Sequence, residues 1–550
     1  MTTQDANLRF TDLVEEILQS RWNFYPNAAS GLGLHQYDGR LPNVTAASLS
    51  GRARELEDQI ELLDRIDLQT LSRQNYFDHK ILLLALRKEL FELAELRIYE
   101  KNPMETLWHV EFSNYVNRDY APLEQRVTAL TNALLAVPQF MDDLKANLRN
   151  VAAPVLDAAA EAYGGIASFY TDDIPKAIEE LSDAGIKARC YDACHAASWA
   201  VTGFVDHLKS LKNGATNEFA IGPDNFAGML KYGEMVDLPL ERVLDVGVKD
   251  LERNLARFRE VAFRIDSARS PAEVMAEIAK EHPTAESLIP ETRDMLEEIR
   301  QFLIDNEIVS VPSEVRCRTV ETPSFMRWAT AAMDLPGALE TRATEAFYYV
   351  TPVEDHWTAE QREQWLSSFN YPTLKNVSVH EAYPGHYVHY LHTRNASSRI
   401  SRIYGAYSFW EGWAHYTEEM MIDAGYGGHD PRLVLGQISD ALLRDCRYVC
   451  AIRMHTQGMM VDEATQFFMG NAYMEELPAS KEAMRGTFDP MYLNYTLGKL
   501  MILKLREDYR REQGSTYSLR RFHDTLLSFG APQIPLVREM MLAHAGSEVL

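Results

Sequence analysis

Apolar residues return every three to four positions near the start of the chain, at Phe10, Leu13, Val14, Ile17 and Leu18, which predicts an amphipathic helix over 8–20. A loop rich in Gly, Asn and Asp follows over 26–43. The helical period resumes from about Ala47 to Arg97 and continues over 122–149, 151–163 and 174–212. Long stretches of this kind, charged on one face, read as a scaffold. Two more helical segments run from Pro239 to about Ile265 and from Pro271 to Asn306, the second interrupted near Pro283 and Pro290.

The texture changes at about residue 310. Residues 314–320 and 345–351 are short and β-rich, bounded by Pro312, Pro323 and Pro352, and are expected as strands of a small sheet. The expected fold is therefore mostly α, a large multi-helix scaffold with a small β-sheet. It divides approximately into an N-terminal helical lobe, 1–310, and a second lobe, 311–550, within one continuous structural unit. No internal repeat or low-complexity tract interrupts the pattern.

Beside the expected sheet lies Val379-His380-Glu381-Ala382-Tyr383-Pro384-Gly385-His386-Tyr387. Two neutral imidazoles that hold a metal and a carboxylate that takes a proton from polarised water are what hydrolytic zinc chemistry requires. The familiar H-E-x-x-H pattern sets its histidines four apart, on one helical face. Here they are six apart, and on a regular helix they would be about 240° round and about 9 Å along the axis, too far for one ion. The helix must break between them. Pro384 clashes with the carbonyl of His380 and Gly385 tolerates the backbone angles that follow, so the insertion carries its own remedy.

Downstream, Ser408-Phe409-Trp410-Glu411-Gly412-Trp413-Ala414-His415-Tyr416-Thr417-Glu418-Glu419 sets a carboxylate among large aromatics on a helical-looking run. Charged groups are rarely so placed without a partner. Glu411 is the expected third ligand, completing a two-histidine, one-glutamate zinc site with a position open to water. His386 with His389 is a rival pair, but it leaves Glu381 without a task. Glu418 is placed to orient a ligand histidine through its second nitrogen. His415, one turn after Glu411, reads as a support to the ligands or, preferably, as packed.

The pair H-E-A-Y-P-G-H-Y and F-W-E-G-W-A-H-Y-T-E resembles a widespread, mostly bacterial family of long helical proteins catalogued as a domain of unknown function. Residues 26–41, 495–499 and 522–530 resemble that family's opening and closing segments, so the likeness spans nearly the whole chain. The family is usually grouped with the gluzincin metallopeptidases, which include thermolysin-like enzymes, angiotensin-converting enzyme and the oligopeptidases. The resemblance implies a deep cleft between helical lobes, with the zincin-like helix in the second, and a zinc-dependent hydrolase that cleaves peptides, short ones above all.

In that class an edge strand pairs with the extended substrate, which makes Tyr348 and Tyr349 a candidate substrate wall or, equally, aromatic core. His455 and Tyr495 fall in segments that match the family's downstream motifs and are candidates for steadying an oxyanion, with Tyr492 close enough to stand in for Tyr495. Glu381 is the expected general base. Two alternatives stay open: a metal amidohydrolase acting on small non-peptide amides or esters, and a non-catalytic helical binding scaffold.

Charge and cysteine content narrow the partners. With 55 basic and 80 acidic residues the net charge is −25, which argues against nucleic acid and anionic membranes. No apolar run approaches the roughly 20 residues of a membrane helix. Five cysteines, at 190, 194, 317, 446 and 450, form no C-x-x-C pair and read as small buried hydrophobes in a reducing compartment. The start, Met1-Thr2-Thr3-Gln4-Asp5, lacks a signal pattern, so cytoplasm is the expected location. Oligomeric state, cleavage position and the metal used in the cell are not legible, since this ligand set also serves iron and manganese.

Overall fold

The computed structural model describes residues 3–323, 327, 330–546 and 548–550. The chain divides into two compact units, Met1–Tyr232 with Pro336–Thr344 and Gly233–Leu335 with Glu345–Leu550. The point near residue 310 where the sequence texture changes marks the approach to the strands. The compact units divide at 232/233, and the Leu240–Ile265 helix packs on the Pro431–Thr456 helix of the second unit.

The first unit is helical, built from Thr3–Phe24, Ala46–Asp64, Arg73–Ala94, Leu123–Asn147, Ala153–Ser168 and Ala184–Leu211 as its longer elements. The run expected over 47–97 is two helices. The Ser72 hydroxyl accepts from the backbone N–H of Asn75 at 3.2 Å, the N-cap that starts the second of them. The apolar stripe Val127, Leu130, Leu134, Val137 and Met141 is buried against the helix carrying Cys190, Cys194, Ala197, Val201 and Phe204. Both of these cysteines, like the other three, are buried free thiols. Residues 336–344 join this unit through Leu339, whose N–H donates to the Leu32 carbonyl at 2.9 Å, and through Glu340, 2.7 Å from His35 Nε2.

In the second unit the Pro431–Thr456 helix is buried along most of its length, and the charges it takes inside, Asp445 and Arg447 among them, are held by side-chain partners. It packs on Leu240–Ile265, where the Tyr448 hydroxyl donates to the Val243 carbonyl at 2.9 Å, and on Tyr371–Glu381. The Tyr407–Asp423 helix crosses Asn494–Gln513 at very close range. A Cβ added to Gly412 would lie 2.4 Å from the Gly498 Cα, and one added to Gly498 would lie 1.8 Å from the Ser408 carbonyl oxygen. Buried charges at this junction are mutually satisfied: Lys499 Nζ is 2.7 Å from Asp250, while Asn254 and Thr496 donate to Asp445 at 2.7 and 3.0 Å.

Three short strands, β1 (Arg318–Glu321), β2 (Ala331–Asp334) and β3 (Phe347–Val350), form a mixed sheet in the order β1-β3-β2. β1 runs parallel to β3 with Arg318 opposite Phe347, and β2 antiparallel with Met333 opposite Tyr348. The second of these strands is absent from the sequence reading, because Ala-Ala-Met-Asp lacks the β-branched and aromatic residues that mark strands. The candidate substrate wall is corrected by this topology. Tyr348 and Tyr349 sit on the central strand and are buried, with the Tyr348 hydroxyl 3.3 Å from Ser378 Oγ, so they are aromatic core.

Candidate metal centre

The Tyr371–Glu381 helix opens on Asn370, whose side chain accepts from the Thr373 N–H, and stops where the sequence places its break. Residues 382–385 turn the chain, with a cis Tyr383–Pro384 peptide, and a new helix, His386–Arg394, starts directly after Gly385. Only glycine fits there: an added Cβ would lie 1.7 Å from the His380 carbonyl oxygen. Trp413 Nε1 donates to the Pro384 carbonyl at 2.9 Å and ties the turn to the Tyr407–Asp423 helix, which carries Glu411.

This turn brings the expected ligands together. The rings of His380 and His386 lie 4.8 Å apart and perpendicular, and both Nε2 atoms are 3.5 Å from Glu411 Oε2. One ligand atom from each of the three lies within 4.8 Å of the others. Ligand atoms about 2.1 Å from a tetrahedral zinc are about 3.4 Å apart, so the spacing suits one ion. Glu411 Oε2 is buried without a hydrogen-bond donor, an expensive state for a carboxylate that has no cation to serve. Burial by itself opposes its charge, yet the two histidines hold it well below the usual carboxylate range. The donor set and the orphaned oxygen together fit a divalent metal.

Around these groups lies a second layer. Glu418 stands two turns after Glu411 on the same helical face, and its Oε1 accepts from His380 Nδ1 at 2.7 Å, which turns Nε2 toward Glu411 and His386. Burial works against charge on Glu418, but Arg444, 3.1 Å away, and His415, 3.2 Å away, hold its carboxyl well below the ordinary range. Asn376 Nδ2 donates to Glu418 at 3.3 Å and to Asp440 at 2.6 Å. His415 is thus a partner of Glu418 rather than packing alone.

Glu381, next in sequence to His380, is tethered from the sheet: the Met333 N–H donates to its Oε2 at 2.9 Å. Because Thr351 N–H bonds the Thr330 carbonyl, the pairs 332/349 and 334/347 share ladder bonds while Ala331 and Met333 direct their main-chain groups away from β3. Among the described residues β2 is an edge strand, and it lies beside the general-base candidate.

The sequence of the chain matches, over residues 26–541, the model of a family described as "Bacterial protein of unknown function (DUF885)". The chain belongs to the DUF885 family. No match is found among curated proteins. Two solved structures share its fold, one described as a candidate lipoprotein of unknown function and the other as a candidate lipoprotein. The one from Shewanella oneidensis has TM-score 0.81 and 21% identity over 97% of this chain and 99% of its own. The one from Colwellia psychrerythraea has TM-score 0.81 and 16% identity over 98% of each.

The remaining candidates in this DUF885 chain separate cleanly. Tyr495 is at the site: its ring stacks 6.4 Å from that of His380 and meets Tyr407 edge-on at 5.9 Å. Burial and the Glu411 carboxylate push its phenol above the ordinary value, against Arg447 and Arg485, so at neutral pH it remains a donor. Tyr492 is fully buried with its hydroxyl against Gly486. His455 is brought elsewhere: its Nε2 bonds the Gly486 carbonyl at 2.7 Å, and it lies three turns beyond Arg444, about 16 Å along the helix. The rival ligand His389 points its Nε2 at the Gly530 carbonyl, 3.1 Å away, beneath Phe409 and Trp410.

Sequence reasoning missed Arg444, Asn376 and Tyr407. The first two join the site through tertiary packing and carry no local motif. Tyr407 lies one turn before Glu411, a spacing that could have pointed to it.

Proposed function

We propose that this protein is a zinc-dependent hydrolase of peptide bonds, similar in its chemistry to gluzincin metallopeptidases. What carries the reading is the convergence of His380 Nε2, His386 Nε2 and Glu411 Oε2 on one small volume, with Glu381 next in sequence to His380. A zinc ion held by these three side chains would supply Lewis acidity, lowering the pKa of a neighbouring water toward about 7. Glu381 takes the proton as that water attacks the carbonyl and passes it to the leaving amine. Its tether to Met333 N–H fixes the carboxylate beside the edge strand β2, where the main-chain groups of Ala331 can pair with an extended peptide. The Tyr495 hydroxyl donates to the oxygen that becomes negative.

Glu381→Gln should leave zinc stoichiometry by mass spectrometry unchanged while hydrolysis of a defined peptide mixture falls at least a hundredfold. Full activity of that variant would end the assignment of the base. A protein purified without zinc and unshifted in melting temperature by added zinc would favour the scaffold reading instead. Cleavage of acyl-amino acids but not peptides would favour an amidohydrolase. The cytoplasmic location is a proposal as well, against which stands the description of the two structural relatives as candidate lipoproteins; cell fractionation into soluble and membrane-associated protein tests it.

A further inference from the structure

Beyond the metal ligands, the wall on the Tyr495 side is built from arginines. The Arg447 guanidinium stands over the Tyr495 ring at 5.2 Å, and Arg485 Nη2 donates to the Tyr407 hydroxyl at 3.2 Å. Each is braced by one carboxylate: Glu482 takes Nε and Nη2 of Arg447, both at 2.7 Å, and Asp489 takes Nε and Nη2 of Arg485, at 2.9 and 2.8 Å. That arrangement holds each fork rigid and leaves the Nη1 amine of each uncommitted to its carboxylate. Both side chains retain contact with solvent, 12% of Arg447 and 30% of Arg485, on helices whose flanking residues Cys446, Tyr448 and Gly486 are buried. Tyr407, Glu411 and Tyr495 are likewise partly open, and ring and guanidinium contacts link the two tyrosines to these arginines.

At the metal end Arg444 answers Glu418, 3.1 Å away, and on the far side of Tyr495 and Tyr407 stand the guanidinium groups of Arg447 and Arg485. From the His380 ring to the Tyr495 ring is 6.4 Å, and from there to the Arg447 guanidinium 5.2 Å, which places that cation within about 12 Å of the ligand histidine. An extended chain spans 3.3–3.6 Å per residue, so at most about three residues fit between them.

We propose that Arg447 and Arg485 receive the terminal carboxylate of the substrate, making this a hydrolase that releases short fragments of one to three residues from the free carboxyl end of peptides. The proposal rests on the metal-hydrolase reading and names its substrate class. Arginine suits the task, because its planar fork meets a carboxylate through paired, charge-assisted hydrogen bonds. The Glu482 and Asp489 braces balance the two guanidinium charges one for one and keep the forks in place, so that an incoming carboxylate meets the remaining Nη1 donors in an ordered site.

The test uses a random hexapeptide pool made once with free carboxyl ends and once with carboxyl-terminal amides. Wild-type full-length protein loaded with zinc is incubated with each pool, and products are read by mass spectrometry. Retention of each pool by Glu381→Gln protein is read by equilibrium dialysis. Free acids are expected to be cleaved and retained about 10- to 100-fold better than amides, with one to three residues released from the carboxyl end. In Arg447→Gln and Arg485→Gln that acid-to-amide ratio should collapse toward unity, and in Arg447→Lys it should be partly restored. The ratio, not the rate, is the readout, because Arg447 also packs on Tyr495.

Equal handling of the two pools by wild type overturns the proposal and leaves the hydrolase standing, with no variant needed. A ratio unchanged in both glutamine variants overturns the assignment to these arginines. If neither pool is cleaved but acids are retained over amides, carboxylate recognition stands and the hydrolase reading falls. If neither is cleaved nor retained, both fall.

Discussion

His380 is held from two sides. Glu411 Oε2 stands 3.5 Å from its Nε2, and Glu418 accepts from its Nδ1. Removing the charge of Glu418 by Glu418→Gln should weaken zinc binding about 10- to 100-fold, measured by competition with a chelator, with His380, His386 and Glu411 all still present. Tyr495→Phe removes only the hydroxyl and keeps the stack on His380. If that hydroxyl meets developing negative charge, kcat should fall about a hundredfold with KM and zinc content little changed. At this scale the sequence was most legible. The His-Glu pair, the six-residue spacing and the glutamate among aromatics are local facts, and each named a side chain that the structure brings to one place. His455 was not legible: the same local cues suited an oxyanion donor, but only packing shows its nitrogen committed to the Gly486 carbonyl.

At the scale of elements, two close approaches set the geometry. The crossing of Tyr407–Asp423 over Asn494–Gln513 places Glu411 and Tyr495 on one side, and it exists only because Gly412 and Gly498 meet without Cβ atoms. Gly498→Ala forces the helices apart, and a destabilisation of about 1–3 kcal/mol is expected by denaturant titration, with activity lost more steeply than stability. The other approach is β2 against the end of the metal helix. Met333→Pro deletes the N–H that tethers Glu381, and because that N–H faces away from β3 no ladder bond is lost. Near-native circular dichroism with kcat reduced about a hundredfold is the expected outcome. Helices with long apolar stripes were readable from their period alone. β2 was not, since a four-residue strand of Ala, Ala, Met and Asp acquires its conformation from the neighbour it pairs with.

Over the whole molecule, stability should depend on pH through buried neutral histidines. Burial pushes His109 and His523 down to about 3 and His455 down to about 4. In His523 both nitrogens are engaged: Nδ1 donates to the Ile308 carbonyl and Nε2 accepts from Tyr416. The unfolded chain binds protons at these residues below about 6.5 while the fold refuses them, so stability is fully present above pH 7 and declines as pH falls from about 6.5 toward 4. Melting temperature followed from pH 8 to pH 4.5 should be level and then fall. His523→Gln should flatten part of that decline, and a curve that keeps its slope in the variant would remove His523 from the account.

What the order of residues determined alone was everything carried by a period or a short spacing: the helices, the enforced break at Pro384 and Gly385, and the three candidate ligands. Periodicity and proline act on near neighbours, so they are written locally. What only the tertiary structure decided was which distant groups share the site: Arg444 and His415 on Glu418, the edge of β2 on Glu381, Tyr495 rather than Tyr492 beside His380. Those pairings depend on how closely helices cross and which strand lies at the sheet edge, quantities that arise from packing between segments far apart in the chain.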